Sequence, residues 1–217
     1  MDNKKFTRTL VIITSAILVV DQIVKILVKT HMHIGEDIPL IGTWCHLHFI
    51  ENEGFAFGTA FGGVTGKYLL TLFRIAATAF IIWLIVKYLH EGQRRSLILS
   101  LTLITAGAIG NIIDSCFYGL IFNESYYNIA SLFPPEGGYA PLLQGRVVDM
   151  FYFPLFEYNW PHWVPLIGGE HFIFFSAIFN VADAAVTIGV FWLLIDQVFL
   201  APKHSKSEKS QSAKGKE

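Results

Sequence analysis

Residues 10 to 28 read LVIITSAILVVDQIVKILV, a run of nineteen residues whose polar members are Thr14, Ser15, Asp21, Gln22 and Lys25. Crossing about 30 Å of hydrocarbon takes roughly 20 apolar residues in a helix, so this run is long enough to span a bilayer. Lys4, Lys5 and Arg8 precede it as they would a secretory signal. No small-residue cleavage site follows before Asp21 and Lys25, so the segment is expected to remain as an anchor helix. Residues 68–88, 96–118 and 172–200 reach the same length. The fold class expected is an all-α polytopic membrane protein with four transmembrane helices and a small extracytoplasmic β-sheet region.

Composition points the same way. The chain has 217 residues, 53% hydrophobic and 15% charged, where soluble domains carry about 25% charged residues. Nineteen Phe, eight Tyr and five Trp suit membrane burial with aromatic anchoring at the interfaces. A net charge of -1 gives no general attraction for nucleic acid. The two cysteines, Cys45 and Cys116, cannot build a disulfide scaffold, and nothing argues for pairing them.

Orientation follows the cations, because short cytoplasmic loops are enriched in Lys and Arg. Eleven of the sixteen lie before residue 10, at Lys87, Arg94 and Arg95, or after residue 200. Both termini are therefore expected in the cytoplasm, with segments 30–67 and 119–171 outside. Glycines at 35, 42, 54, 58, 62 and 63 punctuate short apolar runs in the first of these, which suggests a small sheet at the membrane surface. Residues 1–200 are expected to form one membrane-embedded domain. Residues 201–217, rich in Ser, Lys and Glu, are expected to be a disordered basic tail.

Ionisable residues inside membrane helices are costly, roughly 2.5 to 3.5 kcal/mol each at the helix centre, and so mark candidate sites. Asp21 and Lys25, four apart on one face, are expected to form an internal ion pair. Asn111 with Asp114, and Asn180 with Asp183, are three apart and share a face in each case. Taking 1.5 Å per residue, Asp21 and Asp114 fall about 10 and 6 Å below the outer helix ends. Asp183, placed 11 residues into a helix starting at Phe172, falls within about 16 Å of its outer end. Asp149 precedes that helix. Four carboxylates thus converge on one outer level. Asn111 and Asn180 read as interhelical hydrogen-bonding residues. Arg74 is expected to snorkel outward, Asp196 to be interfacial, and His31, His33, His46 and His48 to be loop residues. Asp149 and Asp183 each sit in an apolar run, residues 147–151 and 179–184, without an obvious cationic partner nearby in sequence. Two carboxylates in low dielectric can share one proton, leaving one as base and one as acid.

Five blocks now stand in order: Asp21–Lys25, Asn52-Glu53-Gly54-Phe55-Ala56-Phe57, residues 107–114 with Asn111 and Asp114, Val147-Val148-Asp149, and Phe179-Asn180-Val181-Ala182-Asp183. With four spans between them, the chain resembles the lipoprotein signal peptidase family, the membrane aspartic proteases also called signal peptidase II. The resemblance implies Asp149 and Asp183 as the catalytic pair, with Asp21, Lys25, Asn52, Gly54, Asn111, Asp114 and Asn180 supporting or lining the site. It implies a substrate that is a diacylglyceryl-modified prolipoprotein, cut before the lipid-bearing cysteine. Membrane lipids are the remaining partners, no nucleic acid or cofactor is involved, and a monomer is expected. The location implied is the bacterial inner membrane, with the active site near the outer leaflet. The family usually places Arg directly after the aspartate matched by Asp114. Ser115 stands there instead, and Arg146, three residues before Asp149, is the candidate to replace it. Residues 123–143 and 154–170 read as insertions, the first a surface loop peripheral to chemistry. The alternative class is a small transporter or channel subunit using intramembrane acids. A purely structural membrane protein is a third.

Overall fold

The computed structural model describes residues 3–54 and 63–200. The tail at 201–217, and Phe55, Ala56 and Phe57 of the second sequence block, lie outside those residues. Four helices are long and apolar enough to cross a membrane. They are α1 (Asn3–His31), α2 (Gly63–His90), α3 (Arg95–Ile121) and α4, which runs Val181–Ile195 and continues as a π-helical turn at Asp196–Leu200. Within α3 the stretch Asp114–Tyr118 is also π-helical.

Burial on these helices is inverted relative to a soluble bundle. Val11, Val19, Ile23, Phe73 and Phe191 are exposed, while Asp21, Lys25, Ser100, Thr102 and Thr105 are buried. Apolar groups face outward and polar groups face one another, as a lipid solvent requires. The most extensive helix contact is between α3 and α4. It is built on small residues: a Cβ at Gly110 would stand 2.9 Å from the Ala182 Cβ, one at Gly189 would stand 2.9 Å from the Ser100 carbonyl oxygen, and one at Gly107 would overlap the Ala182 carbonyl. Without large side chains the two backbones approach closely, which is how helices gain dispersion contacts where no hydrophobic effect drives them together.

A four-stranded antiparallel sheet sits at the end of the bundle where α1 finishes and α4 begins. Its strands are β1 (Asp37–Ile41), β2 (Cys45–Asn52), β3 (Val147–Tyr152) and β6 (Ile178–Phe179), in that spatial order. β2 and β3 are far apart in sequence yet pair Ile50 with Asp149 and Asn52 with Val147. Beneath the sheet, Val28, Met32, Phe49, Tyr118, Phe122, Val148 and Met150 form the main apolar cluster. A smaller cluster of Phe6, Leu10 and Ile98 closes the opposite end of the bundle.

The structure corrects several expectations. The fourth helix begins at Val181, because residues 171–179 hold two short strands separated by a turn at Phe175: β5 (His171–Phe174) pairs with β4 (Phe156–Asn159) as a separate hairpin, and β6 pairs with β3. The 154–170 insertion therefore supplies β4 and the turn of that hairpin. His46 and His48 lie in strand β2 rather than a loop, where His46 Nδ1 sits 3.0 Å from Asp37. Asp196, near the inner end of the last helix, is buried and pairs at 2.8 Å with Arg94, which precedes α3. The 123–143 segment is a loop, as expected, but its start is tied inward: Ser125 Oγ donates to Glu51 at 2.7 Å, and Arg146 Nη1 donates to Glu124 at 2.6 Å.

Candidate active site

The late start of α4 sets the site's geometry. Asn180 is the N-cap of that helix: its Oδ1 accepts from the Asp183 backbone N–H at 2.8 Å, while Asp183 Oδ2 accepts from the Asn180 backbone N–H at 3.3 Å. This reciprocal capping box satisfies two helix-terminal donors and holds both side chains in place. Asp183 is therefore in the first turn of α4, not 11 residues inside it.

Asn180 also reaches across to the sheet. Its Nδ2 donates to Asp149 Oδ1 at 2.6 Å, with Asn111 Oδ1 at 3.1 Å and the Val148 carbonyl at 3.3 Å also within reach. Asn111 on α3 in turn donates to Asp183 Oδ1 at 2.7 Å. Asn52, the last residue of β2, donates to Asp149 Oδ2 at 3.3 Å. Asp149 and Asp183 are thus linked through two amides and held by strands and helices distant in sequence. Both line a cavity of about 240 Å³, together with Asn52, Gly54, Asn111 and Arg74.

Asp149 lies on β3 and is buried. Burial first, then the neighbouring Asp183 charge, pushes its carboxyl up to about 7, against the hydrogen bonds of Asn52 and Asn180 and the charge of Lys25. Such a group can carry the shared proton of a carboxylate pair near neutral pH.

Below the cavity lies a fully buried ionic cluster. Lys25 Nζ stands 2.9 Å from Asp21, 2.8 Å from Asp114 and 2.9 Å from Asn111 Oδ1. Gln22 donates to Asp114 at 2.9 Å and accepts from the Tyr118 hydroxyl at 3.1 Å. Asp21 Oδ1 accepts from the Ala182 backbone N–H at 2.8 Å, and Asp114 Oδ2 accepts from the Val148 N–H at 3.3 Å. The expected Asp21–Lys25 pair is present, and its carboxylate also binds the first turn of α4. Asp114 is part of the same cluster and binds β3 beside Asp149. The cluster therefore fixes the backbones on which the two cavity carboxylates stand.

Arg146 is not in the cavity. Glu51 at 3.0 Å, Glu53 at 3.2 Å and Glu124 at 2.6 Å hold it on the far side of the sheet, where it cannot replace an arginine at position 115. Ser115 instead donates to the Asn111 carbonyl of its own helix. Lys29 bonds Glu51 and Ser125 in this second cluster. Burial pushes the Glu51 carboxyl up, but Lys29, Ser125 and Arg146 outweigh that and hold it below the usual carboxylate range.

Arg74 was expected to point outward, and instead it lines the cavity. Its Nη2 donates to the Gly54 carbonyl at 2.8 Å. Gly54 has φ +84°, a backbone conformation that strains any other residue, and a Cβ there would stand 2.7 Å from Arg74 Nη1 and displace the guanidinium. A signal for this inward face exists in the sequence: Lys67, Thr71, Arg74 and Thr78 recur at helical spacing and form one polar stripe on an otherwise apolar helix.

The sequence model of the family described as signal peptidase (SPase) II matches residues 13–199. The chain belongs to the signal peptidase II family. Curated relatives of this signal peptidase II agree. A lipoprotein signal peptidase of Porphyromonas gingivalis is 50% identical over 180 residues, covering 82% of this chain and 78% of that protein. One from Amoebophilus asiaticus is 36% identical over 184 residues, covering 82% and 73%. A solved bacterial membrane enzyme superposes with a TM-score of 0.55 at 22% identity, covering 96% of this chain and 93% of its own. That likeness shows the shared fold. As a signal peptidase II the chain is a peptidase, and a transporter or channel role is not favoured.

Proposed function

We propose that this signal peptidase II is an aspartic endopeptidase that removes the signal peptide from diacylglyceryl-modified prolipoproteins, cutting just before the lipidated cysteine, with Asp149 and Asp183 as the catalytic pair. The observation that carries this reading is the cavity itself: two carboxylates from β3 and α4, linked through Asn180 and Asn111, with one raised to about 7. One aspartate takes a proton from water as the water attacks the scissile carbonyl, and the other, protonated, donates to the carbonyl oxygen. Proton transfer to the departing cysteine amine completes cleavage.

Asn52, Asn111 and Asn180 orient the carboxylates, Gly54 leaves room beside them, and Asp21, Lys25 and Asp114 hold the supporting backbones. In this reading the acyl chains of the substrate stay in the bilayer and keep its cysteine at the depth of the pair, which makes attack effectively unimolecular. The cation distribution supports a multi-pass protein of the bacterial inner membrane with both termini cytoplasmic and the cavity toward the outer leaflet.

The test is to purify Asp149→Asn and Asp183→Asn in detergent, compare their thermal unfolding, and assay a diacylglyceryl peptide. Each is expected to fold and to lose nearly all turnover, and the double variant to be hardly worse than either. Substantial turnover in a folded single variant would remove the pair from catalysis.

A further inference from the structure

The cavity holds two carboxylates, and charge balance asks which cation faces them. Lys25 is already shared between Asp21 and Asp114. Lys67 Nζ donates to the Glu53 carbonyl at 2.6 Å and pairs with its carboxylate at 3.4 Å. Arg146 is held by three glutamates. Among the described residues, Arg74 is the one cation that lines the cavity. Its charge acts on both Asp183 and Asp149, yet among the described residues it forms no direct ion pair with either.

A guanidinium carries five N–H donors in a planar fork and no acceptor. One of Arg74's is bound, by the Gly54 carbonyl. That single anchor fixes the fork beside the end of β2, where Gly54 N–H also donates to Asn52 Oδ1 at 2.7 Å. The absence of a Cβ at Gly54 keeps the guanidinium within reach of anything lying over Asn52 and Gly54. The natural ligand for unused donors next to a peptidase's reacting carboxylates is a peptide carbonyl oxygen, and a cation there holds one negative charge on the carboxylates.

We propose that Arg74 is the substrate-positioning cation of this site, donating to a backbone carbonyl of the signal peptide beside the scissile bond while its charge keeps the Asp149–Asp183 pair singly ionised. The proposal rests on the aspartic reading above. It assigns two separable jobs to one side chain, the fork gripping the peptide and the charge setting the protonation of the pair. The other charges facing the pair are Lys25 from α1, with its own partners Asp21 and Asp114; Lys67 and Glu53 lie beyond Arg74.

The test measures kcat and KM for a diacylglyceryl peptide from pH 5 to 9 with purified wild type, Arg74→Gln, Arg74→Lys, Asp149→Asn and Asp183→Asn, each checked by thermal unfolding. For Arg74→Gln, kcat/KM is expected to fall about 100-fold or more, as when an oriented donor is lost from an acyl-transfer site. Both limbs of its pH profile are expected to move upward by about one unit, because a nearby positive charge has been removed. Arg74→Lys keeps the charge and loses the fork, so its limbs should stay in place while kcat/KM drops at least about tenfold. A folded Arg74→Gln within twofold of wild type, with unmoved limbs, overturns the proposal. If Arg74→Gln fails to fold, wild-type kcat/KM in Arg74→Lys overturns the fork's role, and a shifted profile in that variant overturns the role of charge. Inactive aspartate variants beside a wild-type-like Arg74→Gln sink this inference alone. Active aspartate variants sink the reading on which it rests.

Discussion

Lys25→Met tests whether the buried ionic cluster is the support of the site. Lys25 has no exposed surface and is the cation of a cluster with two carboxylates, at 2.9 Å and 2.8 Å, plus the Asn111 amide oxygen. Methionine preserves the length and burial of the side chain but leaves Asp21 and Asp114 facing each other around Gln22. Breaking a buried pair by removing one partner costs about 3 to 5 kcal/mol. For a chain of this length that corresponds to a Tm lower by roughly 6 to 20 °C. Asp114→Asn should cost less, because Lys25 keeps Asp21 and the amide still accepts from the Val148 N–H. The two changes touch one network, so Lys25→Met with Asp114→Asn should be less destabilising than their sum by about 1 kcal/mol or more. Thermal unfolding of the three variants in one detergent reads this directly. Lys25→Met within about 0.5 kcal/mol of wild type, or strict additivity in the double variant, would show that the cluster does not act as an ionic unit.

Three further outcomes follow from other parts of the molecule. Gly107→Val should push α4 away from α3, since its side chain meets the Ala182 carbonyl and Val186; turnover should fall at least about tenfold together with thermal stability, as for overpacked cores that lose about 1 to 3 kcal/mol. Because the folded protein holds the Asp149 proton up to about 7, kcat/KM should decline on the alkaline side of that value, and fold stability should also decline as pH rises from about 4 through about 7. Asp149→Asn carries no charge, so it should be more stable than wild type at pH 8, by about 1 kcal/mol or more in thermal unfolding. Single cysteines at Ser131 and Glu91 report orientation: an impermeant thiol reagent outside intact cells should label Ser131→Cys and spare Glu91→Cys, and the reverse pattern inverts the topology.

Much of the site was legible because its ingredients are costly in a membrane. Asp21, Lys25, Asp114 and Asp183 stand out from apolar surroundings, and the structure gathers them with Asp149 around one cavity and the cluster beneath it. Arg74 was misjudged because a lone arginine in an apolar helix can always be imagined reaching for the interface. Only the stripe it forms with Lys67, Thr71 and Thr78 argued otherwise. Arg146 was misplaced for the opposite reason. Nearness to Asp149 in sequence says little on a strand, where neighbouring side chains point to opposite faces and an acidic cluster on the other side can claim the cation.

Length, hydropathy and residue spacing are local properties, and they are enough to locate four spanning helices and the family blocks. Where the fourth helix starts is not local. Residues 172–179 form an apolar run that suits a helix or a buried strand equally, and the choice is made by hydrogen bonding to β4 and β3 and by the cap of Asn180. The pairing of β2 with β3 likewise joins segments nearly a hundred residues apart, which no periodicity records. The tertiary structure alone decided that Asp183 sits in a helix's first turn, that Asn180 reaches Asp149, and that Arg74 faces both carboxylates. Each of these is a contact between distant segments whose cost in chain entropy is offset only when the whole bundle and sheet have assembled.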